Sequence, residues 1–294
     1  MESLQAAVNR MWDELSPAER AVCQHLLKAP PEQLLYARAQ ELGDISGTSS
    51  ATVIRAVQRL GYSGLPGLKQ EIAETFTSVV APEVRLRQRI ERVGDDIGAI
   101  VDQVFDEALE RVEHCRSLVD LPAYGTALSI LAAANDVFVY GVGASESAAR
   151  QFALKLNRLG RRSRIVTSTG FSLADDLLPL AQGDAVVVFF PSRRLREFEV
   201  LTDRARAVGA GTILVSDRLA RKLANRVDAA LAAPNTTTGI TSESLTELIV
   251  GDALVQALAA VDEKRSVTAR HELTGLRDKL LGKDASTSRQ SPTS

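Results

Sequence analysis

Apolar positions along the chain change their rhythm once. Up to about residue 120 they recur every three or four residues, the spacing of helices that bury one face. From Leu121 onward short continuous apolar runs alternate with helical stretches, as in a parallel sheet covered on both faces. In the first half, Leu15-Ser16-Pro17-Ala18-Glu19 is a strong helix start, with Ser16 as N-cap, Pro17 at the first position and Glu19 closing a capping box. Ala21, Val22, Leu26 and Leu27 form its buried face, and Pro30-Pro31 end it. A short helix over 37–42, a turn over 43–48 and a helix capped by Ser49 or Ser50 follow. That last helix runs to Leu60 and is expected to bury Val53, Ile54, Val57 and Leu60. Leu68 to Ala73 continues the small unit, Ala81-Pro82 breaks it, and a long helix runs from Asp95-Asp96 to about Leu118.

The second half predicts strands at 137–140, 165–166, 185–190, 212–216 and 229–231. Helices are expected over 127–134, about 148–159, 171–181, 195–209, 220–225 and 242–260, with one more reaching Leu281. The run AVVVFF at 185–190 is the most apolar and must be central. The fold class is therefore α/β: an all-helical domain, then a Rossmann-like, five-stranded parallel sheet flanked by helices. Expected boundaries are 1–78 for the helical domain, 79–120 for linker helices, 121–282 for the sheet domain, and 283–294 for a polar, disordered tail.

Composition changes this picture little. The 294 residues are 45% hydrophobic and 24% charged, with a net charge of −2, as in a soluble globular protein. Cys23 and Cys115 are too few for a disulfide framework or a thiolate zinc site. No cofactor and no metal are expected. The N-terminal residues carry acid where a signal peptide carries base. No apolar run approaches the roughly 18 residues of a membrane span, so a cytoplasmic protein is expected.

Two stretches carry candidate chemistry. Val137 to Tyr140 reads as a buried strand, Gly141-Val142-Gly143-Ala144-Ser145 as a sharp turn, and the following residues as a helix stopped by Gly160. Such a turn directs backbone N–H groups and the positive end of a helix dipole at one point, which favours an anion. A dinucleotide fingerprint is disfavoured. Glu146 stands where the third small residue belongs, and Arg161-Arg162-Ser163-Arg164 where a ribose-binding carboxylate is expected. An α/β turn without a ligand is the plain alternative. In the helical half, a helix, a glycine turn and a second helix starting with small hydroxylated residues form a helix-turn-helix arrangement. Ser49, Ser50 and Thr52 could reach phosphates or base edges, Arg55 could read a guanine or hold a phosphate, and Arg59 could touch the DNA backbone. A helical hairpin packed on a partner domain is the other reading. Charge does not choose between them, since acidic residues outnumber basic ones nine to seven over residues 1–78.

LSPAERAV and AQELGDISGTSSATVIRAVQRLGYSGLPGLKQEIA in the first half, with VYGVGASESAARQFALKLNRLGRRSR and LPLAQGDAVVVFF in the second, resemble the RpiR-type bacterial transcriptional regulators. These join an N-terminal helix-turn-helix to a C-terminal sugar-isomerase (SIS) domain, and the likeness covers about residues 10–265. The resemblance implies a non-enzymatic regulator that binds a palindromic double-stranded DNA operator and senses a phosphosugar or related metabolite. It implies control of carbohydrate genes and a homodimer or homotetramer. Gly141, Gly143, Ala144 and Ser145 match the family's first phosphosugar loop. The second loop departs from Ser-x-Ser-Gly-x-Thr: of that pattern only Ser192 survives, followed by Arg193 and Arg194. Either these arginines replace hydroxyls with charge, or they are solvated and the ligand is altered. The competing functions are a sugar-phosphate isomerase, with Glu146 or Glu243 as base, and a degenerate SIS domain used only for oligomerisation.

Overall fold

The computed structural model describes residues 4–79, 86–87, 90–91, 94–190, 196–236 and 244–281. The chain divides into two compact units, Met1–Val119 with Pro234–Glu243, and Asp120–Ala233 with Ser244–Ser294.

Seven helices of the first unit are α1 (Leu4–Met11), α2 (Pro17–Lys28), α3 (Pro31–Tyr36), α4 (Ala39–Ser46), α5 (Ser50–Arg59), α6 (Leu65–Val79) and α7 (Ile97–Ser117). The start of α2 follows the sequence: Ser16 Oγ accepts from the Glu19 N–H and Glu19 accepts from the Ser16 N–H. Two expectations need correction. Pro30-Pro31 does end α2, but Pro31 also takes the first position of α3, where its missing N–H is harmless. Residues 43–46 are helical, and the turn is confined to Gly47, Thr48 and Ser49, with Gly47 left-handed at φ 65°. Gly43 lies where α5 begins against α4. A Cβ there would stand 3.0 Å from the Thr48 carbonyl oxygen and the Ser49 carbonyl carbon. Val8, Val22, Cys23, Leu26, Leu42, Val53, Ala56, Val57 and Leu60 fill the core.

The second unit runs α8 (Leu121–Ala133), β1 (Asp136–Gly141), α9 (Ser145–Arg158), β2 (Arg162–Val166), α10 (Phe171–Leu177), β3 (Ala185–Phe190), α11 (Arg196–Val208), β4 (Gly211–Ser216), α12 (Arg218–Lys222), β5 (Ala229–Ala232), α13 (Leu245–Val261) and α14 (Glu263–Leu280). All five strands are parallel, in the order 2-1-3-4-5. Every residue of β3 is buried, as its unbroken apolar sequence requires. Helices α8, α9 and α13 pack on one face of the sheet; α11 and α12 cover the other. Chain direction across the sheet reverses between β1 and β3, so the carboxyl ends of those strands form the crevice where open α/β sheets take ligands. Among the described residues no helix is long and apolar enough to cross a membrane.

Gly141 and Gly143 do different work. A Cβ on Gly141 would lie 2.5 Å from the Ala149 Cβ and 2.8 Å from the Ser145 carbonyl oxygen; one on Gly143 would meet nothing, but Gly143 adopts φ 63°. Gly141→Ala should therefore cost about 2–3 kcal/mol through overpacking, and Gly143→Ala about 1–2 kcal/mol through its backbone alone. Urea denaturation of both variants checks the order; equal losses would refute the separation.

Candidate functional site

Helix α5 presents one outward face. Ala51, Ile54, Arg55 and Gln58 lie together on it, and all four are exposed. Ile54 was expected in the core, yet it is 40% exposed, while Ala56 takes the inward position beside Val53, Val57 and Leu60. The sequence assigns five residues to this surface, and the structure brings only part of the set there. Ser49 is the N-cap: its Oγ accepts the Thr52 N–H at 3.2 Å. Ser50 opens the helix, half-buried. Thr52 is buried, its hydroxyl 3.0 Å from Ser49 Oγ and accepting from Arg55 Nη2 at 3.3 Å. Arg55 is exposed, with its Nη2 resting on the Thr52 hydroxyl. Arg59 is turned back onto the unit: Nη1 donates to the Glu14 carbonyl at 2.7 Å and Nε pairs with Glu19 at 3.3 Å. Gln58 and Ile54 were missed as outward candidates; Gln58 is marked as a polar position off the stripe of Val53, Val57 and Leu60, whereas Ile54 faces outward only because Ala56 takes the buried place.

Glu19 explains the position of Arg59. The carboxylate is buried, and the hydrogen bond from the Ser16 backbone N–H holds its pKa below the ordinary 4.5, against a desolvation penalty. The Ser16 hydroxyl, Arg59 and Arg55 lower it further.

In the second unit, β1 ends at Gly141, the chain turns through Val142-Gly143-Ala144, and α9 begins at Ser145. Ala144 at the cap position offers no side-chain acceptor to the first-turn N–H groups. Close by lies an acidic group that the sequence reading passed over. Ser145 is buried, and its hydroxyl donates to Glu247 Oε1 at 2.8 Å. Glu247 sits in the first turn of α13, itself buried, on the stripe of Val250, Gly251 and Leu254. That helical spacing was the available signal for it. Ser147 donates to the Ala144 carbonyl at 2.8 Å and lies 2.7 Å from Ser244 Oγ, a second link between the starts of α9 and α13. Glu146 instead pairs with Arg150 at 2.7 Å along the surface of α9. Tyr140, one residue before the turn, buries its hydroxyl without a hydrogen-bond partner among the described residues. Desolvation, then the charge of Glu197, pushes its pKa up to about 12.

Ser192, Arg193, Arg194 and Glu243 lie outside the described residues. Among the described residues no group of three or more His, Cys, Asp and Glu side chains is arranged to hold a metal ion.

Known proteins resemble the chain in its second unit and, more distantly, over most of its length. The SIS domain model matches residues 130–257. The chain is 25% identical to the uncharacterized HTH-type transcriptional regulator YfhH of Escherichia coli over 58% of this chain and 63% of that one. It is 26% identical to the HTH-type transcriptional regulator HexR of Pseudomonas aeruginosa over 72% and 73%. Among solved structures, the sugar isomerase domain of an RpiR transcription factor from Sphaerobacter thermophilus superposes with a TM-score of 0.55 at 24% identity, over 58% of this chain and 96% of that one. NanR of Vibrio vulnificus, solved with ManNAc-6P, superposes with a TM-score of 0.56 at 20% identity, over 94% and 98%.

Arg59→Ala should cost about 1 kcal/mol at neutral pH by leaving Glu19 short of a partner, a modest figure because the guanidinium is itself half exposed. The folded pKa of Glu19 is depressed, so this contribution is present above pH 4.5 and fades as the pH falls and the carboxylate takes its proton. Urea denaturation of variant and wild type at neutral and acidic pH checks it: a gap that widens in acid contradicts the assignment.

Proposed function

We propose, taking as premise that the chain is an RpiR-type regulator with a helix-turn-helix head and an SIS domain, that it is a cytoplasmic DNA-binding protein whose operator affinity is set by a phosphorylated sugar. The observation that carries the ligand class is the pairing of opposites at the head of α9. Backbone N–H groups and the helix dipole offer donors to an anion, while the Glu247 carboxylate, 2.8 Å from the Ser145 hydroxyl, is an acceptor. A phosphosugar carries both complements, a phosphate for the donors and hydroxyls for the carboxylate. In this reading Gly141 and Gly143 shape the turn, Ala144 and Ser145 present the donors, and a ligand hydroxyl replaces Ser145 on Glu247. NanR, which shares the fold, was solved with such a compound, ManNAc-6P. Ser192, Arg193 and Arg194 remain candidates from the sequence for contact with the phosphate.

The head supplies the DNA-reading surface. Arg55 is the side chain suited to a guanine edge, Gln58 to an adenine edge, and Ile54 to a thymine methyl. Ser49 and Ser50 lie at the helix start, where phosphate contacts fit. Thr52 and Arg59 hold the head together instead. Two such heads on a symmetric assembly would read half-sites about 34 Å apart, which a palindromic operator provides. Catalysis is not part of the proposal: His25 and His114 belong to the helical unit, His271 lies on α14, and Glu146 is engaged by Arg150.

Arg55→Ala should weaken operator binding about 5- to 150-fold, the worth of a bidentate base contact, and leave the affinity for a phosphosugar such as ManNAc-6P unchanged. Glu247→Gln should do the reverse to first order. Fluorescence anisotropy on operator DNA and calorimetric titration of the sugar phosphate measure the two affinities. Equal loss of both in either variant would overturn the division of labour.

A further inference from the structure

The second unit has a groove at the end of α9 remote from Ser145. Helices α9, α13 and α14 enclose about 490 Å³ there, within the ~300–1,000 Å³ of small-molecule sites. From Ser145 to Leu159 the helix rises about 20 Å, which separates the groove from the Glu247 corner. Buried contacts hold its walls. Arg161 Nη1 donates to the Ala132 carbonyl at 2.7 Å and Nη2 pairs with Asp262 at 2.7 Å, which fixes the junction of α13 and α14. Gly160, left-handed at φ 74°, lets α14 come down on the end of α9; a Cβ there would lie 3.0 Å from the Ala269 Cβ.

The lining joins apolar surface to cations that outnumber their partners. Leu159, Val255 and Ala259 supply the apolar part. Lys155 is taken by Asp252. Arg158 and Arg270 also line the groove, and neither has an ion pair among the described residues. Arg158 stands in the last turn of α9, where the helix dipole favours a cation even without a carboxylate beside it. Glu263 is the one acid among the described lining residues, so two guanidiniums face a single carboxylate. Ser266 lines the groove as well. It is 9% exposed, and its hydroxyl has no hydrogen-bond partner among the described residues. A buried hydroxyl left unmatched is unfavourable, and a ligand oxygen would supply its partner.

We propose that this groove binds an organic monoanion, a carboxylate with an aliphatic body, as a second ligand site separate from the crevice. The guanidiniums of Arg158 and Arg270 and the Ser266 hydroxyl offer donors to the carboxylate oxygens, in charge-assisted bonds that arginine forms well. One positive charge in excess matches a monoanion; a phosphate dianion would leave negative charge over. The aliphatic body covers Leu159, Val255 and Ala259 and removes apolar surface from water. The site stands whether or not the crevice takes a phosphosugar.

Octanoate is the probe, with octanamide as its uncharged counterpart and octyl phosphate as the dianion. Ligand-observed NMR titration of the full chain should give saturable octanoate binding with a Kd on the order of 1 mM or below, and about tenfold weaker binding of octanamide. Arg158→Gln combined with Arg270→Gln should weaken octanoate about tenfold and leave octanamide and ManNAc-6P unchanged. Ser266→Ala should weaken octanoate about five- to tenfold while the urea midpoint holds or rises. No saturable octanoate binding, or octanamide bound as tightly as octanoate, would overturn the site. So would octanoate binding that survives the double arginine variant but falls in Glu247→Gln, since the anion would then sit in the crevice. Octyl phosphate bound more tightly than octanoate would overturn the monoanion assignment. A loss of stability in Ser266→Ala would show that the hydroxyl serves the fold and overturn its role as a donor. A chain that takes octanoate as expected but no ManNAc-6P would support this site and remove the phosphosugar reading.

Discussion

The hydrogen bond from Ser145 to Glu247 ties together the starts of α9 and α13 at the carboxyl end of β1. A carboxylate taken out of water is costly unless it is hydrogen-bonded or near positive charge. Here it sits against the first turn of α9, where a hydroxyl and the positive end of a helix dipole are both available. The arrangement requires α9 to begin close above the end of β1. It can do so because Gly141 has no Cβ to strike Ala149, and Gly143 allows the left-handed step between them. On the same side of the sheet, Gly251 lets α13 come down onto Phe152 and Phe189, whose rings meet edge-on at 5.5 Å. Three glycines thus bring a donor-rich turn and a buried acid to one corner of the crevice.

The helical unit follows a comparable logic with a different buried acid. Glu19 closes the capping box of α2 and receives Arg59 from the end of α5. One carboxylate therefore fixes where α2 starts and how α5 lies across it. The outward face of α5 is left to Ala51, Ile54, Arg55 and Gln58. Gly43, pressed against the turn that precedes α5, sets the approach of the two helices of the motif.

Much of this was legible in the sequence where local physics dominates. The three inner strands β1, β3 and β4 fall within a residue of their apolar runs, because a strand buried on both faces admits little else. The edge strand β2 starts three residues earlier than its apolar pair, at Arg162, where alternate positions face solvent. The Ser16 and Asp96 caps announce their helices through side chains that bond the first-turn N–H groups. What escaped depends on contacts distant in sequence. Pro31 starts α3 as well as closing α2. Gly43 reads as a turn residue but sits inside a helix because α5 needs the space. Ile54 fits the buried spacing as well as Ala56 does, and only packing chooses between them. Thr52 and Arg59 have the chemistry of DNA contacts, but partners within the unit claim them. Glu247, 102 residues from Ser145, has a visible helical phase but no local hint of its partner.

The most direct test is thermodynamic linkage between the two units. Operator affinity is measured with and without saturating ManNAc-6P, and ManNAc-6P affinity with and without operator, at one fixed salt concentration. If the turn at Ser145 governs the grip on DNA, both affinities shift by the same factor, on the order of 5 to 150, and Glu247→Gln brings that factor toward one. An operator affinity untouched by a sugar phosphate that demonstrably binds would contradict it.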